Sequence, residues 1–200
     1  PNVADFDHFH TALNPDTTVP FDLELIPKPR LGFIGAISGY KIDFHLIRRV
    51  AETHPEWSVV LIGDIGEGDP WTDSQQLKGL PNLFLMGPRS YSQLPAYLKG
   101  IDVALLPNKI NEYTDSMFPM KFFEYLAAGR AVVSVKLKAI AEFSNVVLLS
   151  DSCDLFIANI DKALQGQLPD LSVRLAIASN YTYKARTERM LELLQASCVE

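Results

Sequence analysis

From residue 31 onward, short apolar runs alternate with segments whose apolar residues recur every three or four positions. The runs at 31–37, 57–63 and 82–87 have the length of buried strands, and the segment at 43–54 has the spacing of an amphipathic helix. Strands that are apolar throughout and separated by helices are typical of a parallel sheet covered on both faces. The sequence therefore predicts an α/β protein with a doubly wound, Rossmann-like parallel sheet of about six strands.

The rest of the chain continues this alternation. The further strands are expected at 102–107, 131–135 and 145–149, and the further helices at 119–128, 151–164 and 173–196. Within residues 1–30, Pro15, Pro20, Pro27 and Pro29 are expected to break any regular element. We therefore divide the chain into a linker or wrapping segment, a Rossmann-like domain and a C-terminal helical segment, at 1–30, 31–168 and 169–200.

The composition excludes several classes of protein. The 200 residues are 48% hydrophobic and 21% charged, which is not the balance of a disordered chain. The formal net charge of -6 argues against a nucleic-acid partner bound through a basic surface. No apolar run reaches the roughly 18 residues of a transmembrane segment, and residues 1–10 do not resemble a signal peptide. With only two cysteines in no metal or redox spacing, we expect a cytoplasmic protein with reduced thiols.

A Lys–Glu pair in the helix at 119–128 suggests an anion site. Ligands of doubly wound sheets bind beyond the carboxyl ends of the strands, where the loop before this helix is expected to lie. Its free N–H groups and the helix start favour a diphosphate, and Lys121 adds a cation. Glu124, three residues later, can accept two hydrogen bonds from a ribose. The alternative is a surface helix with an ion pair worth about 0.3 kcal/mol.

No cofactor or metal is expected. The four histidines have no ligand spacing, and the aspartates of the glycine-rich segment 64–73 are more typical of a turn than of a metal site. The glycines after the first strand do not form the pattern of a dinucleotide-binding loop. A nicotinamide site is therefore disfavoured.

The segment 115–133 resembles the nucleotide-sugar motif of GT-B-fold glycosyltransferases of the retaining, family-4-like group. That motif reads Pro-x-Lys-x-x-Glu-Tyr-Leu-Ala-Ala-Gly-x-Pro-Val-Val, and here it is matched by Pro119, Lys121, 124–129 and 132–133. Further segments resemble other parts of the family's C-terminal domain; they lie at 1–9, 33–43, 82–95 and 102–107. The resemblance implies the donor-binding half of a glycosyltransferase, with a UDP- or GDP-sugar as donor.

The resemblance also implies site residues. Glu124 would hold the ribose hydroxyls, and Lys121 and Lys41 would stabilise the leaving diphosphate. Gly35 would approach the phosphates and Ser38 would face them. The loop around the diphosphate would consist of Ser116, Met117, Phe118, Pro119 and Met120. The base would be lined by Met86, Gly87 and Arg89, with Arg89 or Tyr91 stacking on it.

Three departures from the family pattern affect these roles. Met117 stands where many relatives have a glutamate that contacts the transferred sugar, so either Asp115 or Glu112 takes that role or the donor sugar is held differently. Ala36 stands where the family often has an arginine, and Ala131 replaces a proline. A non-catalytic nucleotide-sugar-binding module is therefore the alternative function, and a sugar-nucleotide epimerase is a third.

The family's acceptor contacts come mainly from an N-terminal Rossmann domain, which this chain does not contain. We therefore expect the chain to be cut from a longer protein near the interdomain linker. We expect it to bind a nucleotide-sugar without transferring the sugar, and the longer protein to act in polysaccharide synthesis, at the inner face of the membrane.

Overall fold

The computed structural model describes residues 2–69 and 71–197, and a six-stranded sheet forms its centre. The strands are β1 Arg30–Ile34, β2 Ser58–Ile62, β3 Leu83–Leu85, β4 Val103–Leu106, β5 Ala131–Val135 and β6 Leu148–Ser150. All five neighbouring pairs are parallel, in the order β3-β2-β1-β4-β5-β6. The predicted doubly wound sheet is confirmed.

The direction in which strands are added reverses between β1 and β4. These two strands pair at two positions only, Leu31 with Val103 and Gly32 with Ala104, so their ends diverge towards the carboxyl edge. A crevice at such a reversal is the usual ligand site of an open α/β sheet. The fold therefore directs attention to the loops that follow β1 and β4.

Helices cover both faces of the sheet. The helices are α1 Phe6–His10, α2 Phe21–Glu24, α3 Phe44–Thr53, α4 Leu94–Lys99, α5 Glu112–Ser116, α6 Lys121–Ala127, α7 Cys153–Leu164, α8 Leu171–Asn180 and α9 Tyr183–Ser197. One core cluster joins the sheet to α3 and α7, and the other joins it to α1, α4, α6 and α8. The strands β1 and β2 are buried at every position, as expected for a sheet covered on both sides.

The N-terminal thirty residues contain short helices, so the expectation that prolines exclude regular structure there was wrong. Helix α1 precedes the first internal proline, and Pro20 caps the start of α2. The side chain of Asp5 accepts a hydrogen bond from the N–H of His8, which begins α1. Phe9 is fully buried in the core against α6. The segment is therefore packed onto the domain.

Two predicted stretches differ in detail. The loop expected at 108–118 contains α5, which Asn111 caps through the N–H of Thr114. The helix expected at 173–196 is interrupted at Tyr181, whose ring stacks on Phe123 with centroids 4.4 Å apart. Within residues 2–69 and 71–197, no helix has the length and apolar character needed to cross a membrane.

Candidate functional site

Two cavities open at the carboxyl edge of the sheet, and three residues line both: Gly35, Ala36 and Lys121. The first chamber, of about 350 Å³, extends towards Lys41 and Met117. The second chamber, of about 340 Å³, extends along the ends of β2 and β3. The two chambers adjoin at the loop after β1 and at Lys121, and together they are called the cleft. A larger cavity of about 440 Å³ between the starts of α3 and α7 is lined by none of the predicted site residues.

Gly35 begins the loop after β1, here called the glycine loop, and its backbone lies against the end of β2. Its N–H donates to the carbonyl of Ile62 at 2.9 Å. Gly35 and Gly63 have φ angles of +151° and +149°, which L side chains rarely adopt, and a Cβ on Gly63 would lie 1.9 Å from the carbonyl oxygen of Gly35. A side chain at Gly63 therefore cannot be accommodated without moving the loop. The glycine loop presents bare backbone to the cleft, as the prediction for Gly35 requires.

The predicted Lys–Glu pair forms in α6, but it is not a surface pair. Lys121 Nζ lies 2.8 Å from Glu124 Oε2, and Glu124 is only 5% exposed. Burial raises the pKa of Glu124, and the Lys121 ammonium opposes that shift. The alternative of a solvated helix is therefore wrong. Glu124 lines neither chamber, and Lys121 lines both, so the carboxylate lies behind the lysine.

Helix α6 is buried at every residue after Lys121. The residues from Phe122 to Ala127 are all buried, and Tyr125 is fully enclosed. The Tyr125 hydroxyl accepts a hydrogen bond from the N–H of Ile34 at 2.9 Å and donates to the carbonyl of Ile34 at 3.3 Å. Nothing in the local sequence indicates this contact, because the two residues are 91 positions apart.

The loop before α6 divides into residues that face the cleft and residues that do not. Met117, Phe118, Pro119 and Met120 line the first chamber. The N–H groups of Phe118 and Met120 donate to no acceptor within the described residues, so they are available to a ligand.

The two residues that precede this stretch point elsewhere. Asp115 forms an ion pair with Lys138 at 2.7 Å, and the hydroxyl of Ser116 donates to the carbonyl of Tyr113. Neither residue lines a chamber. Asp115 is therefore not positioned to replace the glutamate that relatives carry at Met117.

Lys41 reaches the first chamber, whereas Ser38 does not. The Lys41 Nζ lies 5.0 Å from the ring centroid of Tyr40 and 5.9 Å from that of Tyr113, and it pairs with no carboxylate of the described residues. A hydrogen bond to Tyr40 raises the pKa of Lys41, which remains cationic. The hydroxyl of Ser38 is fully buried and donates to the carbonyl of Glu67 at 2.5 Å, so the expectation that it faces the phosphates was wrong.

The predicted base segment contributes mainly Arg89. This residue lines the second chamber, but Asp22 Oδ2 lies 2.8 Å from its Nη2 and its Nε donates to the hydroxyl of Tyr97. Met86 packs against the core, and the carbonyl of Gly87 accepts the N–H of Gly63, so neither lines a chamber. Arg89 can meet a ligand only with the part of its side chain that those contacts leave open.

The N-terminal segment holds several parts of this site, which the sequence did not predict. Asn2 Nδ2 donates to the carbonyl of Phe118 at 2.9 Å. The ring of His8 stacks on Tyr91 with centroids 4.4 Å apart, and its Nε2 lies 3.0 Å from the carbonyl of Tyr91. Tyr91 lines neither chamber and His8 covers one face of its ring, so the stacking of a base on Tyr91 stays a prediction. The only prior signal was the resemblance of residues 1–9 to a family segment.

No cluster of three or more His, Cys, Asp or Glu side chains in the described part of the chain could hold a metal ion. Two aspartates of the glycine-rich segment 64–73 accept hydrogen bonds from nearby residues, and a third, Asp64, lines the second chamber. Asp69 accepts hydrogen bonds from the N–H of Trp71 and the hydroxyl of Thr72, and Asp73 from the N–H of Gln75.

The doubly wound sheet and the cleft at its reversal point define a Rossmann-like α/β protein. Residues 28–166 match the model of the family described as Glycosyl transferases group 1, and the chain belongs to this family. The resemblance inferred from the motif at 115–133 is thereby confirmed.

The chain is similar to part of a Bacillus subtilis (strain 168) protein named as a teichuronic acid biosynthesis glycosyltransferase, TuaH. The two are 40% identical over 108 residues, which are 54% of this chain and 26% of TuaH. Among solved structures, Anabaena HepE in complex with UDP and glucose has a TM-score of 0.69 at 18% identity over 98% of this chain and 55% of HepE. A Rickettsia africae glycosyltransferase has a TM-score of 0.72 at 14% identity over 96% and 55%. The chain thus spans about half the length of these structures, and they share its fold.

Proposed function

We propose that this chain is the donor-binding half of a retaining glycosyltransferase and that it binds a UDP-sugar. The observation that supports this most directly is the cleft whose two chambers meet at Gly35, Ala36 and Lys121. A nucleoside diphosphate sugar is an elongated ligand with an anionic centre. The cleft has the matching order: a chamber, a bare glycine loop beside a lysine, and a second chamber.

In this proposal the base and ribose occupy the second chamber, and the diphosphate lies beside Gly35 and Lys121. The free N–H groups of Phe118 and Met120 and the unpaired ammonium of Lys41 stabilise the charge that develops on the leaving diphosphate. Phe118, Met120 and Lys41 all line the first chamber, where the sugar would sit. Lys121 is the group that links Glu124 to the diphosphate, because it contacts the carboxylate and lines the cleft.

The ribose role of Glu124 requires a rearrangement of its ion pair. Its carboxylate lies behind Lys121 and is nearly buried. When the Lys121 ammonium turns towards a bound diphosphate, the carboxylate loses that partner and becomes free to accept hydrogen bonds from two ribose hydroxyls. The proposal therefore assigns Lys121 a second position in the bound state.

The relatives suggest the kind of reaction. HepE forms complexes with UDP and with UDP-glucose, and TuaH is named for teichuronic acid biosynthesis. We infer that the longer protein transfers a sugar from a UDP-sugar to a growing polysaccharide at the cytoplasmic face of the membrane. Transfer would require an acceptor-binding domain in addition to this chain.

A non-catalytic nucleotide-sugar-binding module is the second candidate. Among the residues that the structure describes, no carboxylate lines the first chamber, where Met117 stands at the position of the family's sugar-contacting glutamate. A site without that carboxylate can bind the donor and still fail to transfer it. Assays of donor hydrolysis and sugar transfer on the longer protein distinguish the two functions.

Calorimetric titration of the chain with UDP, GDP and UMP tests the donor site. We expect UDP to bind more tightly than UMP, because the second phosphate adds contacts to the glycine loop. Lys121→Met should weaken UDP binding about tenfold, the effect of losing one charged contact of about 1.4 kcal/mol. Lys28→Met is the matched control, because Lys28 pairs with Asp102, which lines neither chamber. No binding of UDP at millimolar concentration would refute the donor site.

A further inference from the structure

We infer that Tyr125 is a positioning residue of the donor site: its hydroxyl fixes the distance between the glycine loop and the Lys121–Glu124 pair. The inference rests on the proposed function, because it concerns the geometry of the cleft that binds the donor. Tyr125 lines neither chamber, so it acts through other residues.

Ile34 lies where β1 is paired with a neighbouring strand on one side only. Ile34 is the last residue of β1 and pairs with Ile62 of β2 on one side. On the other side, the pairing of β1 with β4 ends at Gly32, two residues earlier. The Tyr125 hydroxyl bonds to both the N–H and the carbonyl of Ile34. A side-chain hydroxyl therefore supplies hydrogen bonds to backbone groups that no neighbouring strand pairs beyond Gly32.

The contacts between Tyr125 and Ile34 lie next to the residues that form the cleft. Ile34 directly precedes Gly35, and Tyr125 directly follows Glu124. One hydroxyl thus joins the residue before the glycine loop to the residue after the ion pair. Lys121, one turn earlier in α6, lies so close to the loop that its Cε is 3.9 Å from where a Cβ of Gly35 would stand. A small shift of α6 would change this separation, and with it the space for a diphosphate.

The Tyr125 hydroxyl can both donate and accept a hydrogen bond at any working pH. Burial raises the pKa of Tyr125, so the group keeps its proton. A neutral phenol can donate one hydrogen bond and accept another. Phenylalanine would keep the ring in its buried place and would lose both hydrogen bonds to Ile34.

The test compares Tyr125→Phe with Ser134→Ala. Ser134 is a fully buried residue of β5, whose hydroxyl donates to the carbonyl of Val135 at 2.7 Å, and it lines neither chamber. Both variants lose a buried hydroxyl, so both are expected to unfold at lower temperature. The dissociation constant of UDP is measured well below either midpoint. We expect about a tenfold increase for Tyr125→Phe, the scale of a misplaced contact, and none for Ser134→Ala.

The outcomes separate the two proposals. If the wild-type chain binds UDP and Tyr125→Phe binds it within twofold of wild type, the positioning role is refuted and the donor site stands. If the wild-type chain does not bind UDP, the donor site is refuted and the positioning role falls with it. Equal weakening by Ser134→Ala would also overturn the role, because it would indicate a general loss of order.

A second measurement uses the unmodified chain, so it does not depend on a variant that folds. A buried hydroxyl proton exchanges slowly with water and can be observed by NMR. We expect a Tyr125 hydroxyl resonance with a cross-relaxation peak to the N–H of Ile34, and we expect both signals to shift when UDP saturates the chain. Signals that do not shift on saturation would contradict the inference.

Discussion

The contact between Gly63 and Gly35 gives the most quantitative prediction of the structure. The change is Gly63→Ala, which adds one methyl group at a residue with a φ of +149°. That methyl carbon would lie 1.9 Å from the carbonyl oxygen of Gly35 and 2.8 Å from its carbonyl carbon. Both atoms belong to the backbone, so a rotation of a side chain cannot relieve the overlap.

Two costs add at this position. A residue other than glycine in this region of φ costs about 1–3 kcal/mol. Overpacking of a well-packed site costs about 1–3 kcal/mol more. The sum of about 2–6 kcal/mol is a large part of the roughly 5–15 kcal/mol that stabilises a typical protein. For a chain of this length it corresponds to a fall of roughly 5–20 °C in Tm.

Thermal unfolding followed by circular dichroism measures this fall, and Gly79→Ala is the matched control. Gly79 also has a positive φ, of +80°, but a Cβ there would meet no atom within 4 Å. We expect the control to be destabilised only by the conformational cost of about 1–2 kcal/mol, so that its Tm falls by roughly 2–8 °C. Gly63→Ala should also lose UDP binding, because the glycine loop has to move to relieve the overlap with the added methyl group. Equal Tm values for the two variants would refute the steric reasoning.

Three further variants test other parts of the site. Burial raises the pKa of Glu124, so its ionisation lowers the stability of the fold as the pH rises from the ordinary pKa of 4.5 through the pKa of the folded state. Glu124→Gln should therefore match wild type in Tm at pH 4 and exceed it at pH 8. The same difference in Tm at both pH values would contradict this. Ser38→Ala should cost about 0.5–1.5 kcal/mol in unfolding and leave the UDP dissociation constant unchanged; weaker binding would restore the phosphate role. Burial acts to raise the pKa of Asp22, but hydrogen bonds from Arg89 and Tyr97 outweigh it and lower the pKa, so this contribution to stability is present at neutral pH and is lost as the pH falls through the pKa of the folded state. Asp22→Ala should therefore lower the unfolding free energy by no more than about 1 kcal/mol at pH 7, since the pair is partly exposed, and the loss should disappear in acid.

Much of the fold was predictable because its signals are local. The apolar runs became β1, β2 and β4, since a strand buried on both faces has to be apolar at each position. The Lys121–Glu124 contact followed from a spacing of three residues in a helix. The family motif lies on α6 and its flanking loops, and several of its residues line the first chamber.

The prediction was less successful for the short elements and for individual side chains. Helices α1 and α5 are five residues each, too short for a periodic pattern to appear. Ser38 and Asp115 were assigned to the site from a motif, but their partners, Glu67 and Lys138, are 29 and 23 residues away. The orientation of each side chain was decided by the distant residue that reaches it.

The sequence by itself therefore determined the class of fold, the family, and the loop and helix that carry the cleft, since hydrophobic periodicity and motif spacing act over a few residues. Only the tertiary structure decided which groups face that cleft. It buried Glu124 behind Lys121, joined Tyr125 to Ile34 and laid the N-terminal segment over Tyr91. Each of these outcomes depends on burial and hydrogen bonding between segments that meet only when the sheet is assembled, and a local pattern contains no record of them.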